Sequence, residues 1–256
     1  MNYMLLVCND GIEASDAEEK LVMEAIGERV DASAEVTVYG HPLQGPADAR
    51  TVRVRGGQTL VTDGPFVETK EHIGGFELLD CETLEQAIEA AASHPLAWFN
   101  KIEIRPLADD PGWSPEARKR LGRGVAAGKQ RYMLLICSDG VPTDLKRETM
   151  QRELPRWVER MTVSGTLIAG SQLAGPDTAS TVRVRGPHTL VSDGPFVETK
   201  EFLAGFDVIE SVDLQEAIEI AAAHPVAWFH TIEVRPFTPG MCGEPALGLT
   251  TELATT

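Results

Sequence analysis

The chain has 256 residues, 43% of them apolar and 24% charged, with a formal net charge of −16. That balance suits a soluble globular protein and argues against a broad surface for holding phosphate backbones, so no direct nucleic-acid binding is expected. No apolar run approaches the roughly 18–20 residues of a membrane span, and Met1–Cys8 lacks a basic n-region and a small-residue cleavage site. The expectation is a cytoplasmic protein without membrane contact.

The chain opens with a continuous apolar run, Tyr3–Cys8, which reads as a strand buried on both faces. Asn9-Asp10-Gly11 turns it. Ser15 with Glu18 forms a capping box for a helix whose Val22, Ala25, Ile26 and Val30 recur at helical spacing. A short strand follows near Val36–Tyr39, and Gly45-Pro46 turns into Thr51–Arg55, whose period-two alternation marks a strand with one wet face. Gly56-Gly57 signals a hairpin, and Thr59–Val61 returns. It leads into Asp63-Gly64-Pro65-Phe66-Val67-Glu68-Thr69-Lys70-Glu71. Gly75–Leu79 makes another strand. Thr83 and Gln86 start a second helix, with Leu84, Ala87, Ile88 and Ala91 as its buried stripe and Pro95 at its end. Ile102–Arg105 is a last strand before Pro106.

The chain then repeats itself. With residues 51–107 laid over 181–237 at an offset of 130, 35 of 57 positions are identical, and the nonapeptide returns unchanged as Asp193–Glu201. The organisation read from this is a first domain at 1–107, a basic linker at 108–130, a second domain at 131–237 and a tail at 238–256. In the second copy Tyr132–Cys137 is the opening strand. Leu154, Trp157, Val158 and Met161 space the first helix, with Pro155 inside it, and Asp213 with Glu216 starts the second helix. The linker carries a helix-start signature at Ser114-Pro115-Glu116, then Arg118, Lys119, Arg120, Arg123, Lys129 and, at its end, Arg131, a set expected to lie against acidic domain surface or to form an anion or partner site.

Each copy therefore reads β-α-β-hairpin-β-α-β, an α+β layout with helices on one face of a mostly antiparallel sheet. The two uncovered sheet faces are expected to bury each other, giving an intramolecular pseudo-dimer. Cys8, Cys81, Cys137 and Cys242 form no CxxC pair, so reduced thiols and no metal site are expected.

Thr59–Glu71 with the Gly74-Gly75-Phe76 and Glu103-x-Arg105-Pro106 that follow, and its second copy, resemble the YCII-related proteins of the DGPF-domain branch. The resemblance covers about nine-tenths of the chain. It implies ferredoxin-like repeats closing as a dimeric α+β barrel, and association with extracytoplasmic-function (ECF) sigma factors. YCII relatives are thought to use a histidine–aspartate pair with the histidine on the first helix. Neither first helix here contains a histidine.

One histidine position is repeated, His94 and His224, each just before the proline that ends the second helix. His41, His72, His188 and His230 have no repeated partner. Each repeated histidine reads either as a general base oriented by Asp63 or Asp193, or as a helix-end residue meeting the last carbonyls. Asp63-Gly64-Pro65 is also turn chemistry, and Phe66 reads as a core anchor. Glu68, Lys70 and Glu71, with Glu198, Lys200 and Glu201, are candidate ligand-binding residues for a small anionic or polar molecule, or an ion-pair set. Arg53, Arg55, Arg183 and Arg185 read as bidentate carboxylate binders or as partners of Glu103 and Glu233 across the sheet. The pair Trp98-Phe99, repeated at Trp228-Phe229, reads as core or barrel interface, or alternatively as a ligand-stacking wall. No phosphate-cradling loop, nucleophile elbow or HExxH motif is present, and no cofactor is expected. The leading reading is a small-molecule-binding or regulatory protein associated with an ECF sigma factor. The alternative is a small-metabolite enzyme using the Asp63/His94 and Asp193/His224 pairs. A third reading makes the nonapeptide a clamp between the two halves.

Overall fold

The computed structural model describes residues 1–9, 35–66, 71–108, 113–138, 140–141, 144–196 and 201–240. The opening runs become β1 (Asn2–Asn9) and β7 (Gln130–Ser138), each with an antiparallel neighbour on both sides. A pleated strand sends alternate side chains to opposite faces. Met4, Leu6 and Cys8 of β1 join Met133, Leu135 and Cys137 of β7 in one central cluster. Tyr3 and Leu5 face a second cluster, Tyr132 and Leu134 a third. The two sheets thus bury one face against each other, as the unbroken apolar runs require.

The remaining strands of the first copy are β2 (Thr37–Pro42), β3 (Arg50–Arg55), β4 (Gln58–Asp63), β5 (His72–Asp80) and β6 (Lys101–Pro106). Those of the second are β8 (Leu167–Gln172), β9 (Ser180–Arg185), β10 (His188–Asp193), β11 (Phe202–Ser211) and β12 (Thr231–Pro236). One six-stranded sheet runs β10-β9-β6-β1-β5-β2 and the other β4-β3-β12-β7-β11-β8. Each hairpin has therefore left its own copy. β3 pairs with β12, placing Thr51 opposite Glu233 and Val52 opposite Ile232. β9 pairs with β6, placing Thr181 opposite Glu103 and Val182 opposite Ile102. Val52 joins the core of the second copy, and Val182 and Val184 join that of the first. The hairpin expected within its own repeat instead completes the sheet of the other.

The helices cover the outer faces. In α1 (Leu84–Ser93) the Thr83 hydroxyl accepts the Gln86 N–H, and in α4 (Leu214–Ala223) Asp213 accepts that of Glu216 at 2.8 Å, as their sequences predict. Ala87 and Ala91, with Ala217 and Ala221, are buried, and such small residues let the helices lie close to the sheets. In α3 (Asp144–Val163), which contains Pro155, Trp157 is fully buried. The first helix predicted for the first copy, with Ser15 and Glu18, lies outside the described residues, as do Cys242 and most of the tail.

The linker forms α2 (Pro115–Leu121), capped by Ser114, whose Ala117 and Leu121 enter the central cluster beside Trp113. Its basic face does meet acidic surface, with Arg118 2.6 Å from Asp80. None of the described helices is long and apolar enough to cross a membrane.

Candidate functional site

Asp63-Gly64-Pro65 ends β4 in a turn that only glycine adopts without strain: Gly64 has φ +88° and Gly194 has φ +95°. The Gly64 N–H donates to the Ala49 carbonyl at 3.0 Å, and the Thr51 hydroxyl to the Gly64 carbonyl at 2.9 Å. The second copy repeats both bonds through Ala179 and Thr181. The turn aims the next N–H across the seam between the copies. Phe66 donates to Glu233 Oε2 at 3.1 Å, and Phe196 donates to Glu103 Oε2 at 2.9 Å. Both rings pack on the edge of the central cluster, as expected of anchors.

The other oxygen of each glutamate meets an arginine two residues along the same strand. Arg105 Nη1 donates to Glu103 Oε1 at 3.1 Å, and Arg235 donates to Glu233 Oε1. All four side chains are about 98–99% buried. The guanidinium groups then cross the seam. Arg105 donates to the carbonyls of Leu203 (3.1 Å) and Ala174, and Arg235 to those of Ile73 (2.9 Å) and Gln44 (3.1 Å). Buried charges persist only when paired and hydrogen-bonded; here the pairing lies within each strand, and the further hydrogen bonds come from the opposite copy.

Between these clamps lies a cavity of about 60 Å³. Apart from Leu6, its walls are repeat-related pairs: Pro65 and Pro195, Phe66 and Phe196, Glu71 and Glu201, His72 and Phe202, Ile73 and Leu203, Glu103 and Glu233, Arg105 and Arg235. Both nonapeptides line one space. Lys101 holds Glu71 at 2.6 Å. The equivalent of Lys101 is Thr231, and there Arg53 serves instead, bonding the Thr231 hydroxyl at 2.7 Å and lying 3.9 Å from Glu201. Below the cavity, burial first and then the Glu103 charge push the Cys8 thiol well up. Burial, then Glu233 and Glu201, do the same to Cys137.

A family model of the YCII-related domain matches the chain twice, over residues 1–109 and 131–239. The chain belongs to the YCII-related domain family. An uncharacterized protein of Rhizobium meliloti (strain 1021) is similar, 45% identical over 62 residues, which are 23% of this chain and 50% of that protein. The chain thus spans about half the length of this curated relative.

Within the two YCII domains the predicted acid–base pairs do not come together. Asp63 lies at the exposed end of β4, its side chain 91% accessible and its carboxylate 3.0 Å from Arg50. Asp193 stands opposite Ser180 and has no ion pair among the described residues. His94 and His224 are buried at the ends of α1 and α4. Their Nδ1 atoms accept the N–H of Leu96 and Val226, both at 3.1 Å. That fixes the proton on Nε2, which faces Glu77 at 3.3 Å in the first copy and Asp207 at 3.4 Å in the second. The carboxylates come from the middle of β5 and β11 rather than from the turn, and none of these residues lines the cavity. Each histidine is a cap that joins the helix end to the following 3-10 turn.

Of the predicted ligand-binding set, Glu71 and Glu201 line the cavity, and Glu68, Lys70, Glu198 and Lys200 lie outside the described residues. Arg55 and Arg185 donate to the carbonyls of Ala227 and Trp98, not to Glu103 or Glu233, because Glu233 stands opposite Thr51 and Glu103 opposite Thr181, four residues away along each strand. Trp98 and Trp228 are 50% and 39% exposed, where core or interface was expected. The residues that sequence reasoning missed as a site are Glu103, Arg105, Glu233 and Arg235. Their signal was the repeated Glu-x-Arg-Pro closing a strand otherwise made of apolar residues. His72, set aside for want of a repeated histidine, also lines the cavity opposite Phe202. Among the described residues no group of three or more His, Cys, Asp or Glu side chains could hold a metal ion.

Proposed function

We propose that this YCII-family protein is a cytoplasmic small-molecule-binding module. Its ligand sits in the seam cavity, and its two ferredoxin-like copies close as one α+β barrel around it. The observation that carries the reading is the pairwise lining. Seven repeat-related pairs converge on one cavity, and both copies of the kept nonapeptide contribute to it. A cavity of about 60 Å³ has room for roughly four waters or a compact polar molecule. The test is amide-resolved NMR of the full chain against small-metabolite fractions. Binding shifts Phe66 and Phe196 together; a ligand that shifts neither places the site elsewhere.

The reading assigns regulation rather than catalysis, because His94 and His224 cap backbone N–H groups with Nδ1, face Glu77 and Asp207 with Nε2, and lie outside the cavity lining. The macromolecular partner it assigns is an ECF sigma factor, on the resemblance of the repeated motif alone. Co-purification from natively expressing cells tests this, and two clean negative pull-downs would remove the partner while leaving the ligand site standing.

A further inference from the structure

Each sheet ends on a hairpin strand whose outer side has no strand beside it among the described residues, β4 in one sheet and β10 in the other. Every residue of both strands is exposed. An open edge presents unpaired N–H and C=O groups, and native proteins blunt such edges with lysine, proline or a covering element. The other two edges are treated in this way. In β8 the Ile168 carbonyl accepts from Arg120 Nε of the linker helix at 2.9 Å, and β2 ends in Pro42, whose carbonyl accepts the Thr238 N–H. Gln58–Asp63 and His188–Asp193 contain no lysine, arginine or proline. They carry exposed aliphatic pairs instead, Leu60 and Val61 at 48% and 43%, Leu190 and Val191 at 53% and 48%. Thr59-Leu60-Val61 returns as Thr189-Leu190-Val191, although only 35 of the 57 aligned positions are identical. Packing inside one molecule does not account for keeping side chains that it leaves exposed.

The register of each hairpin shows which backbone groups are open. Antiparallel pairs alternate between hydrogen-bonded and non-hydrogen-bonded. The Gly64 N–H donates to Ala49, so Thr62, Leu60 and Gln58 also point their backbone groups inward, and Thr59, Val61 and Asp63 point theirs out. The Gly194 N–H on Ala179 sets the same pattern, with Thr189, Val191 and Asp193 open. A two-fold axis between antiparallel neighbours keeps every side chain on its own face of the sheet, so it must pass beside one residue. Centred on Val61, it brings the open groups of one β4 opposite those of another. Val61 meets Val61, Thr59 meets Asp63, and Leu60 falls opposite Thr62. No carboxylate faces a carboxylate, which matters for two chains that each carry −16. Asp63 of one molecule reaches the turn end of the other's hairpin, where the charged residue is Arg55. β10 centred on Val191 repeats the pattern with Asp193, Thr189 and Arg185. Edge pairing between equivalent copies is also how this fold joins β3 to β12 and β9 to β6.

We infer that the occupant of these edges is a second molecule of the same chain, each sheet continuing through a Val61-centred β4–β4 pair or a Val191-centred β10–β10 pair. Such a contact is isologous, the same patch on both molecules. With one at each end of the chain's two sheets, the assembly extends beyond a dimer.

The test is sedimentation velocity of the full chain over a concentration series, with Val61→Lys, Val191→Lys and the double variant. At each centre lysine would then face lysine, a destabilising cross-strand pair. Wild type is expected to gain mass beyond a dimer, each single variant to stop at a dimer, and the double variant to stay a monomer. Thr59→Lys added to Val191→Lys should keep the dimer, because that lysine meets Asp63. In wild type, amide hydrogen exchange at Thr59, Val61 and Asp63 should speed up on dilution while Leu60 and Thr62 stay protected, and that measurement decides if a lysine variant fails to fold. A wild-type monomer, or a double variant as heavy as wild type, overturns the inference. So does a monomeric single variant, the mark of β4 meeting β10, and so does loss of the dimer on Thr59→Lys. Protection of Thr59 and Val61 at every dilution places a segment of the same molecule on the edge and overturns it too.

Discussion

Removing one arginine from the seam should weaken the whole protein. In Arg105→Ala, Glu103 keeps the Phe196 N–H but loses its counter-ion, and the carbonyls of Leu203 and Ala174 lose a donor. An uncompensated carboxylate at 2% exposure is the costly product, and breaking a buried pair from one side costs about 3–5 kcal/mol. For a protein of this size each kcal/mol lowers Tm by about 2–4 °C, so the expected drop is about 6–20 °C in a circular dichroism melt. Arg235→Ala should match it, because its contacts are the repeat-related ones. Glu103→Leu combined with Arg105→Met removes both charges and should cost less than Arg105→Ala alone. A drop below about 2 °C for both alanine variants, or a double variant worse than the single, would refute the clamp.

Asp63→Asn and Asp193→Asn should leave Tm within about 4 °C in the same melts, since an exposed pair such as Asp63–Arg50 is worth about 0–1 kcal/mol; a larger loss would return the clamp to the aspartates. His224→Ala should cost about 3 kcal/mol in urea unfolding, because it strips the Val226 cap, leaves buried Asp207 without its facing imidazole and removes the ring packed on Trp157. Gly170→Ala should cost about 1–3 kcal/mol in urea unfolding, since an added Cβ would sit 2.1 Å from Asp207 Oδ1 and 3.0 Å from the Phe206 carbonyl. Cys8 and Cys137, whose thiols burial pushes well up, should resist Ellman's reagent in native Cys242→Ser protein and react on unfolding. Their folded pKa values lie above the unfolded ones. The stability they contribute is therefore complete below about pH 8.5 and declines as pH rises beyond it, which alkaline urea titrations would show.

Much of the fold could be read from local physics. Unbroken apolarity in Tyr3–Cys8 announced a strand buried on both faces, and it lies mid-sheet. Thr83, Asp213 and Ser114 announced helix starts because their side chains satisfy backbone N–H groups within three residues. The hairpin exchange had no local signal. Thr51–Arg55 has the same alternation whether it borders β6 or β12, and nearly identical copies make both edges equally good partners.

The site was half legible for the same reason. The nonapeptide was visible as a repeated string, and its glycine and phenylalanine do what such residues do in turns and cores. What Glu103 and Arg105 do depends on the opposite copy, and Glu-x-Arg on a strand reads equally well as a solvated face. His94 was attributed to Asp63 because the motif supplied the nearest noteworthy carboxylate. The structure pairs it with Glu77, which stands in an apolar strand outside the motif. A charged residue inside an apolar strand was the signal in both cases.

The shared seam exists only if each hairpin completes the other copy's sheet. The most direct measurement is a set of cross-strand NOEs to residue 51 in the full chain. The exchanged arrangement predicts contacts from Thr51 to Glu233 and from Thr181 to Glu103. Contacts from Thr51 to Glu103 and from Thr181 to Glu233 would return each hairpin to its own copy and dissolve the shared seam.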